Sequence, residues 1–493
     1  MSSPPTPDAS LTAAELVQRG RDPGSFTLLL DDSPADGARV VCSETVRALP
    51  GRRLVCRGSW QGQAIFVKIY FDDGRHWQAE QRGLQALHQH AITAPAVLYA
   101  GTADGGHLQL IILAAIAPAQ SLALAWAQAA DDAARVELLH QTLAVLAQHH
   151  GAGLLQDDIN LDNFLLAGGQ LYTLDGGGIR VTGAQALSAS RSRDNLAQFF
   201  AQLYPHFDAL IEIVLPGYCR QRGWDADRLT PGEVRQRVVH RRHARQRQFL
   251  KKIFRDCSAF RCERSWRSFR VSDRALSTPA LRTLLADPDA SLQQPGVRFL
   301  KQGNTSTLWT VPVDGRQLVI KRYNIKGYAH RLSRAWRRTR AAVSWKNAHR
   351  LAMYGILGAR PVALHERRFG PLRGRAWLIM EYIEGEDLTR LCGATDAQQE
   401  DTAVAIRHMT TLLARLADCA ISHGDMKGTN FLQTQQGIAV IDLDAMQEHV
   451  SQARFRRAQR HDLQRFMRNW ESCPAIAGQF SVALQRDVAG TAR

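Results

Sequence analysis

Two stretches of the sequence repeat one arrangement of aspartate and asparagine. In each, an aspartate is followed five residues later by the asparagine of an Asn-Phe-Leu sequence, and a second aspartate follows that asparagine by twelve residues. A lone Asp-x4-Asn sequence is usually an ordinary loop, so the significance lies in the ordered repeat. The residues are Asp158, Asn163 and Asp175 in the first stretch and Asp425, Asn430 and Asp442 in the second, 267 positions apart in all three cases.

These residue types suit phosphoryl transfer, which requires a protein to grip phosphates, hold a metal ion and aim the acceptor hydroxyl. The first aspartate of each set could orient or deprotonate a hydroxyl. The asparagine and the later aspartate could hold Mg²⁺ through their oxygen atoms. Turn sequences at Gly168-Gly169 and Gln435-Gln436-Gly437 predict that a hairpin brings these last two residues together in each stretch.

Each stretch is preceded by an apolar strand that carries a single lysine. Lys68 lies in the predicted strand 65–70, and Lys321 lies in the predicted strand 318–323. Such a lysine could pair with nucleotide phosphates if a helix glutamate held it in place. Alone, either lysine would be an ordinary surface residue of an edge strand. We call the two sets of elements the first copy and the second copy.

Both copies resemble the protein-kinase-like superfamily, in which a His-Arg-Asp-x4-Asn loop precedes an Asp-Phe-Gly-type aspartate. The sequences His423-Gly424-Asp425 and Ile441-Asp442-Leu443 are similar to those of the bacterial lipopolysaccharide kinase family and its RIO-like relatives. The resemblance covers residues 40–215 and 297–475. It implies an α+β fold with two tandem protein-kinase-like domains, each an antiparallel-sheet N-lobe above a mainly helical C-lobe, with ATP and Mg²⁺ in the cleft.

The resemblance also implies roles for the matching residues. The implied catalytic residues are Asp425, Asp158, Lys427 and His423, of which His423 would brace the loop. The implied cofactor-binding residues are Lys68, Glu80, Lys321, Gly303 and Glu381, and the implied metal ligands are Asn163, Asp175, Asn430 and Asp442. Further aspartates, Asp194 and Asp462, are expected to hold the loop backbone from a C-lobe helix.

Each copy departs from the pattern in a different place. The first copy has Glu80 twelve residues after its lysine, in a predicted helix 76–88, but Gln156 and Asn160 replace the loop histidine and lysine. The second copy keeps both loop residues, but Ser344 aligns with Glu80, and no acid occurs between Tyr323 and His365. We expect both copies to bind nucleotide and favour the second for chemistry; one copy could instead be a non-catalytic scaffold.

The positive charge is confined to two stretches. The chain has 62 Lys and Arg against 46 Asp and Glu, for a net charge of +16. Residues 235–270 carry +11 and residues 326–350 carry +8, so the remainder is −3. In the first stretch an apolar face of four residues predicts a basic amphipathic helix that suits an anionic membrane surface: Phe249, Leu250, Ile253 and Phe254. The alternative is a solvated linker and a solvated helix face.

Other partner classes are less favoured. Arginines in the second basic stretch, among which Trp336 and Trp345 lie, suit phosphate or carboxylate groups of an acidic glycolipid. The basic runs lack a stacking platform and no RNA-binding motif occurs, so a nucleic-acid partner is not expected. The composition, 45% hydrophobic and 22% charged, excludes wholesale disorder, and the eight cysteines form no Cys-x-x-Cys pair.

The sequence gives expected domain boundaries and a location. Residues 1–8 lack a basic start and an apolar core, so no secretory signal is expected, and the longest apolar stretch is too short to span a bilayer. The protein is therefore expected in the cytoplasm. A peripheral position on the inner face of the inner membrane is compatible with this expectation. The expected segments are a flexible tail 1–24, kinase-like domain one 25–234, a basic connector 235–290 and kinase-like domain two 291–493.

The resemblance implies ATP- and Mg²⁺-dependent phosphorylation of a sugar hydroxyl, of heptose or a related sugar, in the lipopolysaccharide inner core. Two alternatives stay open. One is a protein or small-molecule kinase of the same fold. The other is a tandem pseudokinase that acts as a membrane-associated scaffold. The acceptor sugar, the active copy and the oligomeric state are not determined by the sequence.

Overall fold

The computed structural model describes residues 10–32, 38–71, 74–324, 336–393 and 399–490. The chain divides into two compact units. The first extends to Arg242, apart from residues 204–206, and the second contains those three residues and the chain from His243 onward. Each unit has a large antiparallel sheet and a mainly helical part, so the predicted fold class is confirmed.

The first unit is built on a six-stranded antiparallel sheet. Alternate residues of its central strand, Ile65, Val67 and Ile69, are fully buried in the sheet core, so Lys68 lies on the opposite face. In sheet order the strands are Phe26–Leu29, Arg39–Leu49, Arg53–Trp60, Gln63–Tyr70, Leu108–Ala114 and Val97–Ala103. The predicted helix 76–88 is the helix Arg75–Gln89.

Helices form the rest of the first unit, around a core that includes Leu143, Leu146, Phe164 and Phe199. Its helices, besides Arg75–Gln89, are Ala13–Arg19, Leu122–Gln128, Asp132–Gly151, Ala189–Phe200, Leu210–Gln221 and the start of Pro231–Lys252. Its short strands are Gln120–Ser121, Leu154–Gln156, Phe164–Ala167, Gln170–Thr173 and Ile179–Val181.

The expected flexible tail needs correction. Residues 13–19 form a helix that Thr12 and Glu15 begin with reciprocal side-chain to backbone hydrogen bonds. Leu11 and Leu16 are buried against the first sheet, which explains why this segment is ordered. Residues 1–9 of the expected tail lie outside the described residues.

The second unit has a seven-stranded antiparallel sheet. In sheet order the strands are Phe260–Arg264, Ser268–Asp273, Pro361–Phe369, Leu372–Glu381, Arg316–Tyr323, Ser306–Val313 and Arg298–Gln302. The first two fall within the connector that we expected at 235–290. Phe269 and Val271 are buried in this unit, and Ser268–Asp273 pairs with Pro361–Phe369, so this part of the chain belongs to the sheet.

The second unit contains further helices and short strands besides this sheet. The helices are the end of Pro231–Lys252, then Pro279–Ala286, Arg340–Met353, Leu388–Gly393, Gln399–Asp418, Gln452–Arg468 and Pro474–Gly490. The short strands are Glu386–Asp387, Ile421–Ser422, Phe431–Thr434, Gly437–Val440 and Gln447–Glu448. Among the described residues, no helix has the length and apolar character needed to cross a membrane.

The apolar face expected to meet a membrane is instead covered by protein. Leu250 and Ile253 are buried, and Phe249 and Phe254 pack against the same cluster, which contains Trp345. The indole Nε1 of Trp345 also donates to the carbonyl oxygen of Ile253 at 3.0 Å. The prediction that this face binds a membrane is therefore wrong, because the second unit uses it as core.

A buried histidine makes the second unit sensitive to acid. His349 packs against the rings of Trp345, Phe249 and Phe260, and its Nε2 has no hydrogen-bond partner among the described residues. Burial, together with Arg360, lowers the pKa of His349 from 6.5 to about 3. The folded-state pKa lies below the unfolded value, so the stability that neutral His349 contributes is present above pH 6.5 and is lost as the pH falls.

We therefore predict that His349→Phe removes part of the acid destabilisation. For the wild type, His349 should contribute a loss of about 1.4 kcal/mol of unfolding free energy per pH unit below pH 6.5. Urea denaturation at pH 7.5 and 5.0, followed by near-ultraviolet circular dichroism, measures this loss. The exposed residue His90 provides the control variant His90→Gln. An equal pH dependence in His349→Phe and wild type would contradict the prediction.

Candidate active site

Both predicted hairpins are confirmed, and each joins the asparagine to the later aspartate. Phe164–Ala167 pairs with Gln170–Thr173, and Phe431–Thr434 pairs with Gly437–Val440. In the first copy the backbone N–H before Asp175, that of Leu174, donates to the carbonyl of Asn163 at 2.9 Å. In the second copy the corresponding bond, from Ile441 to Asn430, measures 3.0 Å. The sequence repeat is thus a structural repeat at this site.

In the first copy, a helix glutamate holds the strand lysine. Lys68 Nζ donates to Glu80 Oε1 at 2.5 Å and lies 3.7 Å from Asp175 Oδ1. The Glu80 carboxylate also accepts backbone N–H groups from Gly176 and Gly177 at 3.0 and 2.9 Å. Because the side chain of Glu80 is fully buried and contacts three donors, it fixes the lysine between the helix and the residues after Asp175.

The catalytic loop of the first copy has little support around its aspartate. Asp158 is exposed and, among the described residues, makes no ion pair. Asn163 Nδ2 donates to the Asp158 carbonyl at 2.6 Å, and Asn160 begins the following turn by accepting from backbone N–H groups. Gln156, in the place of the family histidine, is buried, and its amide atoms have no hydrogen-bond partner in the described part of the chain.

The catalytic loop of the second copy is braced by a neutral histidine. His423 is fully buried, and its Nε2 lies 3.1 Å from the carbonyl oxygen of Ile441, the residue before Asp442. Its Nδ1 accepts the backbone N–H of Asp425 at 3.3 Å. This pattern assigns the proton to Nε2. Burial lowers the pKa of His423, which keeps the ring neutral and suited to both bonds.

Asp425 is surrounded by cations. Its carboxylate accepts from Arg465 Nε at 2.8 Å and lies 3.2 Å from Lys427 Nζ, while its carbonyl accepts from Asn430 Nδ2 at 2.8 Å. Burial works to raise the pKa of Asp425, but the hydrogen bonds from Lys427 and Arg465 outweigh it and lower the pKa. The carboxylate is therefore ionised at neutral pH and fixed in orientation.

A second aspartate holds the loop backbone, as expected for Asp462. Its carboxylate accepts the N–H groups of His423 and Gly424 at 2.7 and 2.9 Å. The matching expectation for Asp194 is wrong, because Asp194 forms a two-bond ion pair with Arg237. Asn195, 267 residues before Asp462, takes the loop role and donates to the carbonyl of Gln156 at 2.8 Å.

The lysine of the second copy has a partner that the sequence reasoning missed. Lys321 is 5% exposed, and its Nζ lies 2.7 Å from Asp442 Oδ1 and 3.3 Å from Asp444 Oδ1. Ser344, which aligns with Glu80, donates its hydroxyl to Asp444. The signal was present in the sequence, since Asp444 lies 267 residues after Gly177, one of the two residues whose N–H groups bind Glu80.

The two remaining expected nucleotide residues make no hydrogen bond or ion pair with Lys321 or Asp442 among the described contacts. Gly303 lies in the turn between the strands Arg298–Gln302 and Ser306–Val313. Its N–H donates to the Ser306 carbonyl oxygen at 3.1 Å. The carboxylate of Glu381 lies 3.6 Å from Arg316 and from Arg360. A cavity of about 870 Å³ includes Glu381 in its lining, but neither lysine nor the metal-ligand candidates line it. The structure thus does not bring Glu381 to the phosphate end of the site.

The donor set fits a magnesium ion that shares its coordination with phosphate. In the first copy Asp175 Oδ1 is buried and, among the described residues, has no hydrogen-bond partner, as a cation ligand would require. In both copies the asparagine uses its Nδ2 on the loop backbone, which leaves its oxygen as an acceptor. The described residues contain no group of three or more His, Cys, Asp or Glu that could hold a metal ion alone. Mg²⁺ commonly binds through one or two protein ligands and substrate phosphates.

We predict that Asp462→Asn loosens the catalytic loop of the second copy. One of the two backbone N–H groups would face an amide NH₂ and lose its acceptor, at a cost of about 1–3 kcal/mol. Hydrogen exchange measured by mass spectrometry should then be roughly tenfold or more faster in peptides that cover residues 421–430.

The matched control is Asp194→Asn. Asp194 pairs with Arg237 and not with the loop, so exchange in peptides covering residues 154–163 should stay unchanged. Equal protection of the second loop in Asp462→Asn and wild type would contradict the role of Asp462.

Comparisons with known proteins identify a family for the chain. The sequence model of the lipopolysaccharide kinase (Kdo/WaaP) family matches residues 73–179 and 292–486, more than half of the chain, and both catalytic loops lie in the matched segments. No curated protein matches the chain. Among solved structures, "WaaP in complex with acyl carrier protein" is similar, with 17% identity, a TM-score of 0.29, and coverage of 42% of this chain and 88% of that chain. The chain is a kinase that belongs to the lipopolysaccharide kinase (Kdo/WaaP) family.

Proposed function

We propose that the protein transfers the γ-phosphoryl group of ATP to a sugar hydroxyl of the lipopolysaccharide inner core, heptose or a related sugar. The observation that carries the proposal is the ionised Asp425 between Lys427 and Arg465, at the head of the loop that leads to Asn430. Family membership supports lipopolysaccharide as the substrate class. The choice of sugar rests on the resemblance described above.

Each of the site residues of the second copy has a distinct role in phosphoryl transfer. Asp425 accepts the hydrogen bond of the acceptor hydroxyl and takes its proton as the oxygen attacks the γ-phosphorus, and ADP leaves. Lys427 stabilises negative charge that develops on the transferring group. Lys321 holds nucleotide phosphates. Asn430 and Asp442 would hold Mg²⁺, which neutralises phosphate charge when it is bound.

The first copy is better suited to binding than to transfer. It has the lysine, the glutamate and both metal-ligand candidates, but Asn160 stands where the second copy has Lys427. Asp158 lacks the cations that surround Asp425 among the described residues. We therefore place chemistry in the second copy and nucleotide binding or a supporting role in the first.

Phosphate transfer from labelled ATP tests the proposal. Asp425→Ala should lower the rate on purified core oligosaccharide by roughly 10²–10⁴-fold, the usual contribution of a positioned proton acceptor. The matched variant Asp158→Ala should keep most of the rate. Transfer that survives in the double variant would contradict the mechanism. Preferential labelling of generic protein substrates would favour a protein kinase, and absence of transfer by the wild type would favour the scaffold.

For the membrane, we propose a contact through an aromatic tip made of Trp266 and Phe369. The two side chains are 64% and 68% exposed, and their rings meet edge to face at 5.9 Å. They lie on neighbouring turns, joined by a hydrogen bond of 2.9 Å from Gly370 N–H to the Trp266 carbonyl. Gly370 has φ of +58°, and a Cβ there would come within 2.8 Å of the indole, so glycine permits this contact.

Arginines flank Trp266 of the tip in sequence, and an arginine of the second basic stretch lies in the same unit. Arg264 and Arg267 flank Trp266 in sequence, and Arg338 of the second stretch lies 5.2 Å from the ring of Phe254 in the first. Burial lowers the pKa of Arg373, and the positive charges of Arg368 and Arg338 add to the effect. Exposed aromatic rings among arginines suit the interface of an anionic lipid surface, where the rings enter and the cations meet headgroups.

Sedimentation with phosphatidylcholine vesicles that contain phosphatidylglycerol tests this contact. The variant Trp266→Ser/Phe369→Ser should bind roughly tenfold more weakly and should phosphorylate delipidated core at the wild-type rate. The control is Val46→Ser/Val181→Ser, which removes two residues of similar exposure, 52% and 55%, from the first unit. Equal vesicle binding by all three proteins, or a change in oligomeric state caused by the tip variant, would contradict the proposal.

A further inference from the structure

The two copies supply the carboxylate for the strand lysine from opposite elements. In the first copy Glu80 on the helix Arg75–Gln89 supplies it, and the residues after Asp175 contribute backbone N–H groups. In the second copy the helix Arg340–Met353 has a serine, Ser344, in the aligned place. The carboxylate comes from Asp444, two residues after Asp442.

The contacts of Asp444 form a closed set around a buried carboxylate. Its Oδ1 accepts from Lys321 at 3.3 Å, from the Tyr323 hydroxyl at 2.7 Å and from the Ser344 hydroxyl. Its Oδ2 accepts from Arg340 at 2.5 Å. The side chain is 9% exposed. Burial, with Asp444 adding to it, raises the pKa of Tyr323 well above its ordinary value, so this hydroxyl keeps its proton and donates.

We propose that Asp444 is a positioning residue that replaces the missing helix glutamate and holds Lys321 toward the nucleotide phosphates, with Ser344 as the contribution of the helix. This inference rests on the proposed nucleotide-dependent function. Asp442 also contacts Lys321 and is an expected metal ligand, whereas Asp444 is not among the metal-ligand candidates and is bonded to the strand and the helix. Asp444 acts through Lys321 and does not touch substrate.

The arrangement joins three elements at one carboxylate. Lys321 and Tyr323 come from the strand Arg316–Tyr323, Arg340 and Ser344 come from the helix, and Asp444 follows the hairpin. Because a buried carboxylate without partners is costly, each element is held by its bond to Asp444. In the second copy the carboxylate therefore lies after the hairpin and not on the helix. It still holds the strand lysine, as Glu80 holds Lys68 in the first copy.

The test is to move the carboxylate back to the helix. Binding of a nonhydrolysable ATP analogue with Mg²⁺ is measured by calorimetry in the background Lys68→Met, so that the second copy dominates the signal. Asp444→Gly should weaken nucleotide binding by about tenfold or more, a loss of the size expected when a buried charge pair is broken. Ser344→Glu/Asp444→Gly, which rebuilds the arrangement of the first copy, should regain most of that affinity.

A half-buried carboxylate elsewhere in the second unit provides the structural control. Glu448 accepts from Tyr354 and Gln246 at 2.7 and 2.9 Å, and Glu448→Gln should lower the melting temperature without changing nucleotide affinity. Asp444→Glu is the conservative variant, and it should bind better than Asp444→Gly. KM for ATP should rise more than kcat falls in Asp444→Gly, because the residue acts on phosphate binding.

Three outcomes would overturn the inference. These are wild-type affinity in Asp444→Gly, failure of the double variant to recover affinity although it folds, and parallel loss of affinity and melting temperature in Asp444→Gly and Glu448→Gln. If Asp444→Gly does not fold, the comparison of Asp444→Glu and the double variant with wild type decides in the same way. Recovered nucleotide binding without transfer to core oligosaccharide would refute the proposed acceptor and leave the role of Asp444 intact.

Discussion

A lysine ammonium that is nearly buried in a strand must find a carboxylate on another element, and the site depends on this constraint. The side chains of Lys68 and Lys321 are 12% and 6% exposed. A buried charge without a partner is costly, and a nearby carboxylate compensates for that cost. Because the strand itself offers no acid, the helix and the residues after the hairpin must approach the lysine. The same approach brings Asp175 and Asp442 next to the lysines, and the hairpins link these aspartates to Asn163 and Asn430.

The two copies show that the lysine requires a carboxylate, but that this carboxylate can come either from the helix or from the residues after the hairpin. A carboxylate on the helix, Glu80, needs donors from the loop, and the loop supplies them as the N–H groups of Gly176 and Gly177. A carboxylate on the loop, Asp444, needs donors from the helix, and the helix supplies Ser344 and Arg340. Each solution has its own partners, so a change at one position alone would leave a buried group unpaired.

Turn sequences and apolar patterns were sufficient to predict the hairpins and the lysine strands, and the family resemblance implied the pairing of Lys68 with Glu80, because these depend on local pattern and on order along the chain. Asp444 was missed because the two copies were compared only at the helix position of Glu80, where the second copy has Ser344, whereas Asp444 follows the hairpin. Asp194 was expected to match Asp462 because it is also an aspartate, but the position 267 residues before Asp462 is Asn195. Neighbouring positions on a helix differ by about 100° in direction, so the two residues cannot replace each other. The apolar face around Ile253 was correctly located, but an amphipathic pattern does not identify the surface that covers it.

Net charge by segment has the same weakness, since it counts residues without their partners. In residues 235–270, Arg237 and Arg242 are neutralised by Asp194 and Asp208, which lie far away in sequence. The arginines that remain without a described ion pair include Arg264 and Arg267, beside an exposed tryptophan, and Arg338 of the other basic stretch lies against Phe254. One residue of each basic stretch, Phe254 and Arg338, thus meet in the second unit. Internal ion pairs involve the arginines of the helix Pro231–Lys252, and the proposed membrane contact would use arginines outside these pairs.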